Sequence, residues 1–391
     1  MSRLVWLLGT VGIAAIALVV IFRGEAAAAF RDQAAGGSPT CTSTDSFVPA
    51  FCLNVPTSSV RHETTVPLVT LPSQRADVRV EVTVPGSDAA ALAVGVDRSV
   101  ERVEALFGRT FTTRPRVLIF GGVASFATGA KDLFGYSRET ADHVANTYGG
   151  IFDRPTLTIA VNWGASGTTR MNAAIAHELT HLMIREVTGA DSVPAWLDEG
   201  VATLVEQEAP GASTWNAEEE LVGMAVAASG TVSLAQLESV ADFHAAYARL
   251  DRPLYAFAAD AVRTMRSRVG WPGVVRVLAA LGTGESAATA YQAEAGESLA
   301  VMERRLDASA SPQIVATTTK DANGNLHWTL YAGRASSDVR VSITGTTDYR
   351  VSFTVQTDAF GLYRGSFGST AAAGTYTVRA GGAAATFATG R

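Results

Sequence analysis

Hydrophobic positions divide the chain into regions with different periodicities. Short apolar or alternating runs predict three strands, at residues 77–84, 114–122 and 156–163. Apolar residues at helical spacing predict helices at residues 87–108, 169–188, 194–208, 215–229, 233–248, 254–268, 271–281 and 297–308. A small mixed sheet followed by a mostly helical half predicts an α+β domain over residues 76–310.

The pattern changes again beyond Pro312. Short alternating segments follow one another there, and turn residues such as Asn323-Gly324 separate them. About six strands in roughly eighty residues predict a β-sandwich over residues 311–391. The segment lacks the paired cysteines of antibody domains, so we expect an Ig- or fibronectin-like module.

The N-terminus holds the longest apolar run of the chain. Residues 4–22 carry no charge, and Arg3 and Arg23 flank them. At 1.5 Å per residue this run reaches about 28 Å, close to the thickness of the bilayer core. Residues 1–23 are therefore either an uncleaved signal anchor or a signal peptide cleaved near Ala29. Both alternatives export the rest of the chain, as a single-pass membrane protein or a secreted one.

Residues 24–75 are rich in Ala, Gly, Ser, Thr and Pro, and they show little periodicity. This composition predicts a flexible linker between the membrane and the folded part. The two cysteines of the chain, Cys41 and Cys52, lie in this region. In an exported protein we expect them to form a disulfide, with two unrelated thiols as the alternative.

Composition and charge narrow the class of partner. Hydrophobic residues make up 47% of the chain, which is enough for a sizeable core. The net charge is −6, and the sequence contains no basic patch. We therefore do not expect nucleic acid to be a partner. The sequence does not indicate an oligomeric state.

One predicted helix carries the strongest chemical motif. His177 and His181 are four residues apart, which places both rings on one helical face about 40° apart. Two such imidazoles can bind the same Zn²⁺ ion. Glu178 lies between them and is rotated by about 100°, so it can reach a water on the metal without binding the metal itself.

The next predicted helix supplies a third ligand. Glu199 in "WLDEG" follows His181, and two antiparallel helices would bring its carboxylate to the imidazoles. Asp198 is the alternative ligand, because adjacent helical side chains point about 100° apart and only one of them can face the metal. Trp196 and Leu197 are expected to pack the two helices together. Two histidines and one glutamate leave a position open for water, as in catalytic zinc sites.

"HELTH" followed by "WLDEG" resembles the motif pair of the gluzincin metallopeptidases, and the flanking segments are similar to the peptidase-MA-like group. The resemblance covers residues 76–308. It implies that His177, His181 and Glu199 bind zinc and that Glu178 is the general base. It also implies that residues 156–163 form the edge strand on which an extended peptide substrate binds.

Three further features bear on the resemblance. The enzymes of this family commonly stabilise the reacting carbonyl with a Tyr or His from a downstream helix. We expect Tyr255 in this role, with Tyr247 and His244 as the other candidates.

The chain has no Gly-x-Met-Glu-Asn motif, which weakens an aminopeptidase interpretation. It also has Thr203 where thermolysin-like enzymes place an aspartate that orients a histidine ligand.

The sequence therefore predicts an exported, membrane-tethered zinc metallopeptidase acting on peptides or proteins. Two alternatives remain at this stage. One is a catalytically silent extracellular binding or adhesion protein with a peptidase-like domain. The other is a zinc hydrolase of non-peptide substrates.

Overall fold

The computed structural model describes residues 63–189, 193–209, 216–250, 253–308, 311–316, 325–345, 348–367 and 373–389. The apolar N-terminal segment and the proposed Cys41–Cys52 disulfide lie outside these ranges. Within them, every helix is too short or too polar to cross a membrane.

The first half of the described chain contains a five-stranded sheet. Its strands are β1 (Leu68–Leu71), β2 (Asp77–Glu81), β3 (Arg116–Phe120), β4 (Gly150–Asp153) and β5 (Thr158–Asn162). They lie side by side in the order β1-β2-β3-β5-β4. The three central strands are parallel, whereas β1 and β4 run antiparallel to their neighbours and form the two edges.

Helices cover both faces of this sheet, which explains why β3 is a continuous apolar run. Val117 and Ile119 point to one core, and Leu118 and Phe120 point to the other. The first face packs against α1 (Gly86–Phe107) and α4 (Trp163–Thr188), and the second against α2 (Val123–Phe134) and α3 (Arg138–Thr147). The sheet thus provides a rigid base for α4, which carries the histidine motif.

The middle of the chain is mostly helical. Its helices are α5 (Ala195–Gln207), α6 (Asn216–Ser229), α7 (Val240–Leu250), α8 (Pro253–Gly282), α9 (Ala287–Ala295) and α10 (Leu299–Ala308). Helix α8 is interrupted at Gly270, which has φ 68° and ψ 173°. Trp196 and Leu197 of α5 are fully buried in the core shared with α4, as the sequence predicts.

The C-terminal part consists of antiparallel strands in two sheets. The strands are β6 (Gln313–Ala316), β7 (Leu326–Tyr331), β8 (Asp338–Gly345), β9 (Arg350–Gln356), β10 (Leu362–Phe367), β11 (Gly374–Ala380) and β12 (Ala383–Thr389). One sheet has the order β10-β7-β6 and the other β12-β11-β8-β9. Their apolar residues share one core around Trp328 and Tyr376. The predicted α+β part followed by an all-β part is confirmed.

Several predicted boundaries are wrong. The sheet begins earlier than expected, because β1 lies within the region assigned to the linker; its four residues between Pro67 and Pro72 are too few to show a strand pattern. Residues 233–248 are not one helix: a 3₁₀ turn at Leu234–Leu237 precedes α7, whose start is capped by the Ser239 side chain. Helices α2, α3 and α9 and strand β4 were not predicted.

Candidate metal centre

Helices α4 and α5 pack side by side and bring the predicted metal ligands together. Nε2 of His177 lies 3.1 Å from Nε2 of His181. The Glu199 carboxylate oxygen Oε2 lies 3.5 Å from the first of these nitrogens and 3.6 Å from the second. The three side chains could therefore hold one metal ion between them.

The other nitrogen of each imidazole faces a second carboxylate from α5. Nδ1 of His181 lies 2.8 Å from Asp198 Oδ1, and Nδ1 of His177 lies 3.0 Å from Glu206 Oε2. A carboxylate only accepts hydrogen bonds, so each Nδ1 carries a proton, and a neutral ring then has its lone pair on Nε2. Asp198 therefore lies behind His181, and the alternative that it replaces Glu199 as a ligand disagrees with this geometry.

Arg154 completes the surroundings of Asp198. This arginine directly follows β4, and its guanidinium forms a salt bridge with Asp198 Oδ2. The Asp198 carboxylate is buried, and burial alone would raise its pKa. The positive charges of His181 and Arg154 outweigh that effect and lower the pKa of Asp198. The carboxylate behind His181 therefore stays ionised.

The carboxylates around His177 and His181 favour a positive charge on the two imidazoles. Burial opposes protonation of His177, but hydrogen bonds to Glu199 and Glu206 outweigh burial and raise its pKa well above the ordinary value. Burial also opposes protonation of His181, and the charges of Asp198 and Glu199 raise its pKa in turn. The same negative charges also favour a cation placed between the imidazoles and Glu199.

Glu178 has the surroundings of a proton acceptor that works near neutral pH. Its side chain is buried beside the two imidazoles and lines the same cavity. Burial raises the pKa of Glu178 to about 7, although the neighbouring imidazoles act in the opposite direction. A carboxyl group with this pKa can both accept and release a proton under physiological conditions.

Strand β4 forms one wall of the cavity and corrects the predicted edge strand. Residues 156–163 were expected at the edge of the sheet, but β5 pairs with neighbours on both sides, and β4 is the edge. Gly150, Ile151 and Phe152 of β4 line the cavity. The absence of a side chain at Gly150 matters here, because a Cβ atom would lie 2.9 Å from Glu178 Oε1.

Tyr255 is the downstream candidate that the structure brings to the cavity. It lies near the start of α8 and lines the cavity together with Tyr136 and Tyr148. Burial, with a smaller effect of the Glu199 charge, raises the pKa of Tyr255 well above its ordinary value, so its hydroxyl group stays protonated. The Tyr247 ring is in edge-to-face contact with the Tyr255 ring, and Tyr247 is not among the residues that line the cavity.

His244, the third candidate, is poorly suited to donate a proton. Burial lowers the pKa of His244 to about 4, so its ring is neutral at physiological pH. It is not among the residues that line the cavity. Of the three downstream candidates, Tyr255 therefore has the most suitable position and protonation state.

Sequence reasoning missed Glu206, Arg154 and Tyr148. A signal existed for Glu206, because it follows Glu199 by seven residues and so lies on the same helical face. Tyr148 lies just before β4 and Arg154 just after it, and the sequence pattern did not identify this strand. Thr203, considered as a partner for a histidine ligand, has a buried hydroxyl group without a hydrogen-bond partner among the described residues.

A scan against models of protein families and a search of curated proteins gave no match to this chain. Assignment of a function therefore depends on the geometry and chemistry of this centre.

Proposed function

We propose that this protein is an exported, membrane-tethered zinc metallopeptidase of the gluzincin type. The observation that carries the proposal is the triangle formed by the ligand atoms of His177, His181 and Glu199, with sides of 3.1, 3.5 and 3.6 Å. Ligand atoms in tetrahedral zinc sites, at about 2.0–2.1 Å from the ion, lie roughly 3.3 Å from one another. The triangle therefore has the size of one face of a zinc tetrahedron.

The kind of ligand supports a catalytic rather than a structural site. Two imidazole nitrogens and one carboxylate oxygen leave one position for water or substrate, whereas structural zinc sites are closed by four protein ligands. Zinc in this position would lower the pKa of water toward neutrality and polarise a carbonyl group. Glu178 adds a buried carboxyl group that has no use in a purely structural site.

Glu178 and Tyr255 would handle the proton and the developing charge. The Glu178 carboxylate accepts a proton from the attacking water and passes it to the leaving amine nitrogen, for which a pKa of about 7 is suitable. The Tyr255 hydroxyl group donates a hydrogen bond to the carbonyl oxygen of the substrate as negative charge grows there.

The position of β4 supports a peptide as the substrate. This strand is an edge of the sheet and lines the cavity beside Glu178. An extended peptide can add to such an edge as a further strand, and its backbone then runs past the catalytic groups. A non-peptide ester or amide would not need this edge, which is why we favour peptide hydrolysis over the broader hydrolase alternative.

The N-terminal segment and the two folded parts also have roles in this proposal. Residues 1–23 anchor the protein in the membrane or direct its secretion, and Cys41 and Cys52 form a disulfide in the linker. The α+β part has the gluzincin fold, and the C-terminal sheets form an Ig- or fibronectin-like module. The apolar N-terminal run and the short alternating strands support these assignments.

The decisive experiment combines metal analysis with Glu178→Gln in the detergent-extracted full chain. We expect the wild-type protein to contain one zinc per chain and to cleave members of an unbiased peptide library between about pH 5 and 9. Glu178→Gln should keep its zinc and lose cleavage by roughly 10²–10⁴-fold, because only the proton acceptor is removed. Glu186→Gln on the same helix, outside the cavity lining, is the matched control and should remain active.

Each alternative has its own result in this experiment. Stoichiometric zinc without cleavage of any peptide would contradict the peptidase proposal and favour a silent binding protein. Cleavage of ester or simple amide substrates alone would favour the non-peptide hydrolase. A wild-type protein that binds no zinc would exclude the proposed centre.

A further inference from the structure

The chain on either side of β4 contacts the helices of the middle part of the molecule. Tyr148, two residues before the strand, stacks on Tyr247 of α7, with 6.4 Å between the ring centroids. Arg154, directly after the strand, forms the salt bridge with Asp198 of α5. Both Tyr148 and Arg154 line the cavity. These two contacts therefore lie at the two ends of the cavity, measured along β4.

The contact at the first end belongs to a row of aromatic rings. The Tyr148 ring meets the His143 ring of α3 edge to face, at 6.4 Å between centroids. On the other side, Tyr247 meets Tyr255 of α8 at 5.5 Å. These separations are typical of packed aromatic pairs. The four rings form a continuous row from α3 to α8, and we call it the aromatic wall.

The contact at the second end is a salt bridge with a buried acid. The Asp198 side chain is 6% exposed, and the Arg154 side chain is 30% exposed. Separating the pair would leave a buried carboxylate without its counter-ion, which is unfavourable. We therefore expect this end of the cavity to stay closed as well.

The distance between the two ends limits the length of a bound peptide. Strand β4 has four residues, which at about 3.4 Å per residue makes it about 14 Å long. Paired strands align residue by residue, so an extended substrate along β4 would have about four residues between the two contacts. A longer chain would have to bend away from the sheet edge at both ends to leave the cavity.

We propose that the protein is an oligopeptidase, which cleaves short peptides and excludes the interior of long chains. A substrate that continues far on both sides of the scissile bond needs a groove with two open ends. In this protein the aromatic wall closes one end, and the salt bridge between Arg154 and Asp198 closes the other. The inference rests on the proposed peptidase function and assigns its class of substrate.

The test is a length series cleaved by the detergent-extracted full chain. A peptide that the wild-type protein cleaves is trimmed to about four residues around the scissile bond, and this core is then extended on one side or on both. We expect kcat/KM to be highest for peptides of about four to six residues. It should fall by at least roughly tenfold when extension on both sides brings the length to about sixteen residues.

Tyr148→Ala opens the end of the cavity that the aromatic wall closes. We compare kcat/KM for a long peptide with kcat/KM for the short core in the same variant, because loss of a lining side chain also changes binding of the core. This ratio should rise by roughly fivefold or more for peptides extended on one side and stay low for those extended on the other. The rescued side identifies the peptide terminus that faces the wall.

Tyr349→Ala is the matched control. Tyr349 is 43% exposed and packs edge to face on Tyr376 in the C-terminal sheets, so its removal takes away a tyrosine ring that does not line the cavity. The ratio for long and short peptides should stay at its wild-type value in this variant.

Three results would overturn the inference. Equal kcat/KM of the wild-type protein for the shortest and longest peptides would show that the ends are open, and the proposed peptidase would stand. An unchanged ratio in Tyr148→Ala for extension on either side would contradict closure by the aromatic wall. Cleavage of no peptide of any length would remove the peptidase and the oligopeptidase inference together. The wild-type series decides the question even if Tyr148→Ala fails to fold.

Discussion

The Tyr255 side chain is held in place by its aromatic neighbours. The Phe243 ring lies 5.3 Å from the Tyr255 ring and the Tyr247 ring lies 5.5 Å from it, both in edge-to-face contact. These contacts come from α7, whereas Tyr255 belongs to α8. Two helices therefore hold the phenol ring in place, and burial keeps its hydroxyl group protonated. A protonated hydroxyl group on a fixed ring suits the role of hydrogen-bond donor that we propose for Tyr255.

Tyr255→Phe should remove this donor and leave the ring contacts in place. We expect the turnover number for a cleaved peptide to fall by roughly 10²–10³-fold, as for the loss of one donor to a developing oxyanion, while the zinc content stays unchanged. Tyr247→Phe is the control, because Tyr247 belongs to the same aromatic group but does not line the cavity. Equal turnover by the two variants would contradict the role of Tyr255.

Individual residues differ in how far the sequence predicts them. His177, Glu178 and His181 could be predicted because one helical turn determines their mutual positions. Glu199 required the packing of a second helix, which "WLDEG" indicated. The roles of Asp198 and Glu206 depend on which ring nitrogen each carboxylate meets. Which nitrogen each carboxylate meets is set by how far α4 and α5 are shifted along each other. A local sequence pattern does not predict that shift.

Among the secondary-structure elements, β4 has the largest effect on the site. Its four residues, "GIFD", begin with glycine and end with aspartate, and they resemble a turn more than a strand. Pairing with β5 makes them a strand, through contacts between residues five to eleven positions apart. Because β4 was not predicted, the edge of the sheet was assigned to β5. Long buried runs such as β3 were predictable, since their apolar residues need both faces covered.

The fit of β4 against α4 can be tested at Gly150. In Gly150→Ala the new methyl group would meet Glu178 Oε1 at 2.9 Å and Val161 Cγ1 at 3.0 Å, so the Glu178 carboxylate must shift. We expect peptide turnover to fall by roughly tenfold or more with normal zinc content, because a small misplacement of a catalytic group is costly.

Gly86→Ala is the control for this substitution, since nothing lies within 4 Å of its added methyl group. It should keep wild-type turnover. The proposed fit between β4 and Glu178 would be wrong if Gly150→Ala retained full activity with full zinc.

For the molecule as a whole, the C-terminal sheets pack directly on the helical part. Tyr331 and Leu362 of the sheets form one apolar cluster with residues of α6 and with Ala256 of α8. Helix α6 in turn approaches α8 closely, since a Cβ atom at Gly223 would lie 2.4 Å from the Ala256 carbonyl oxygen. Ala256 directly follows Tyr255, so this contact reaches the helix that lines the cavity. The sequence predicted both parts but carries no local signal for their contact.

Glu218 of α6 tests whether this contact contributes to stability. Its Oε1 atom accepts hydrogen bonds from Thr329 Oγ1 at 2.8 Å and from Arg364 Nε at 2.9 Å, both in the C-terminal sheets. We expect Glu218→Ala to lower the free energy of unfolding by about 1–2 kcal/mol, a value that allows for the exposure of Arg364. Glu220→Ala, which removes an exposed carboxylate 4.0 Å from Arg263, should change it by less than about 0.5 kcal/mol. Urea unfolding followed by circular dichroism measures both, and equal midpoints for the two variants would mean that the sheets contribute nothing to stability through Glu218.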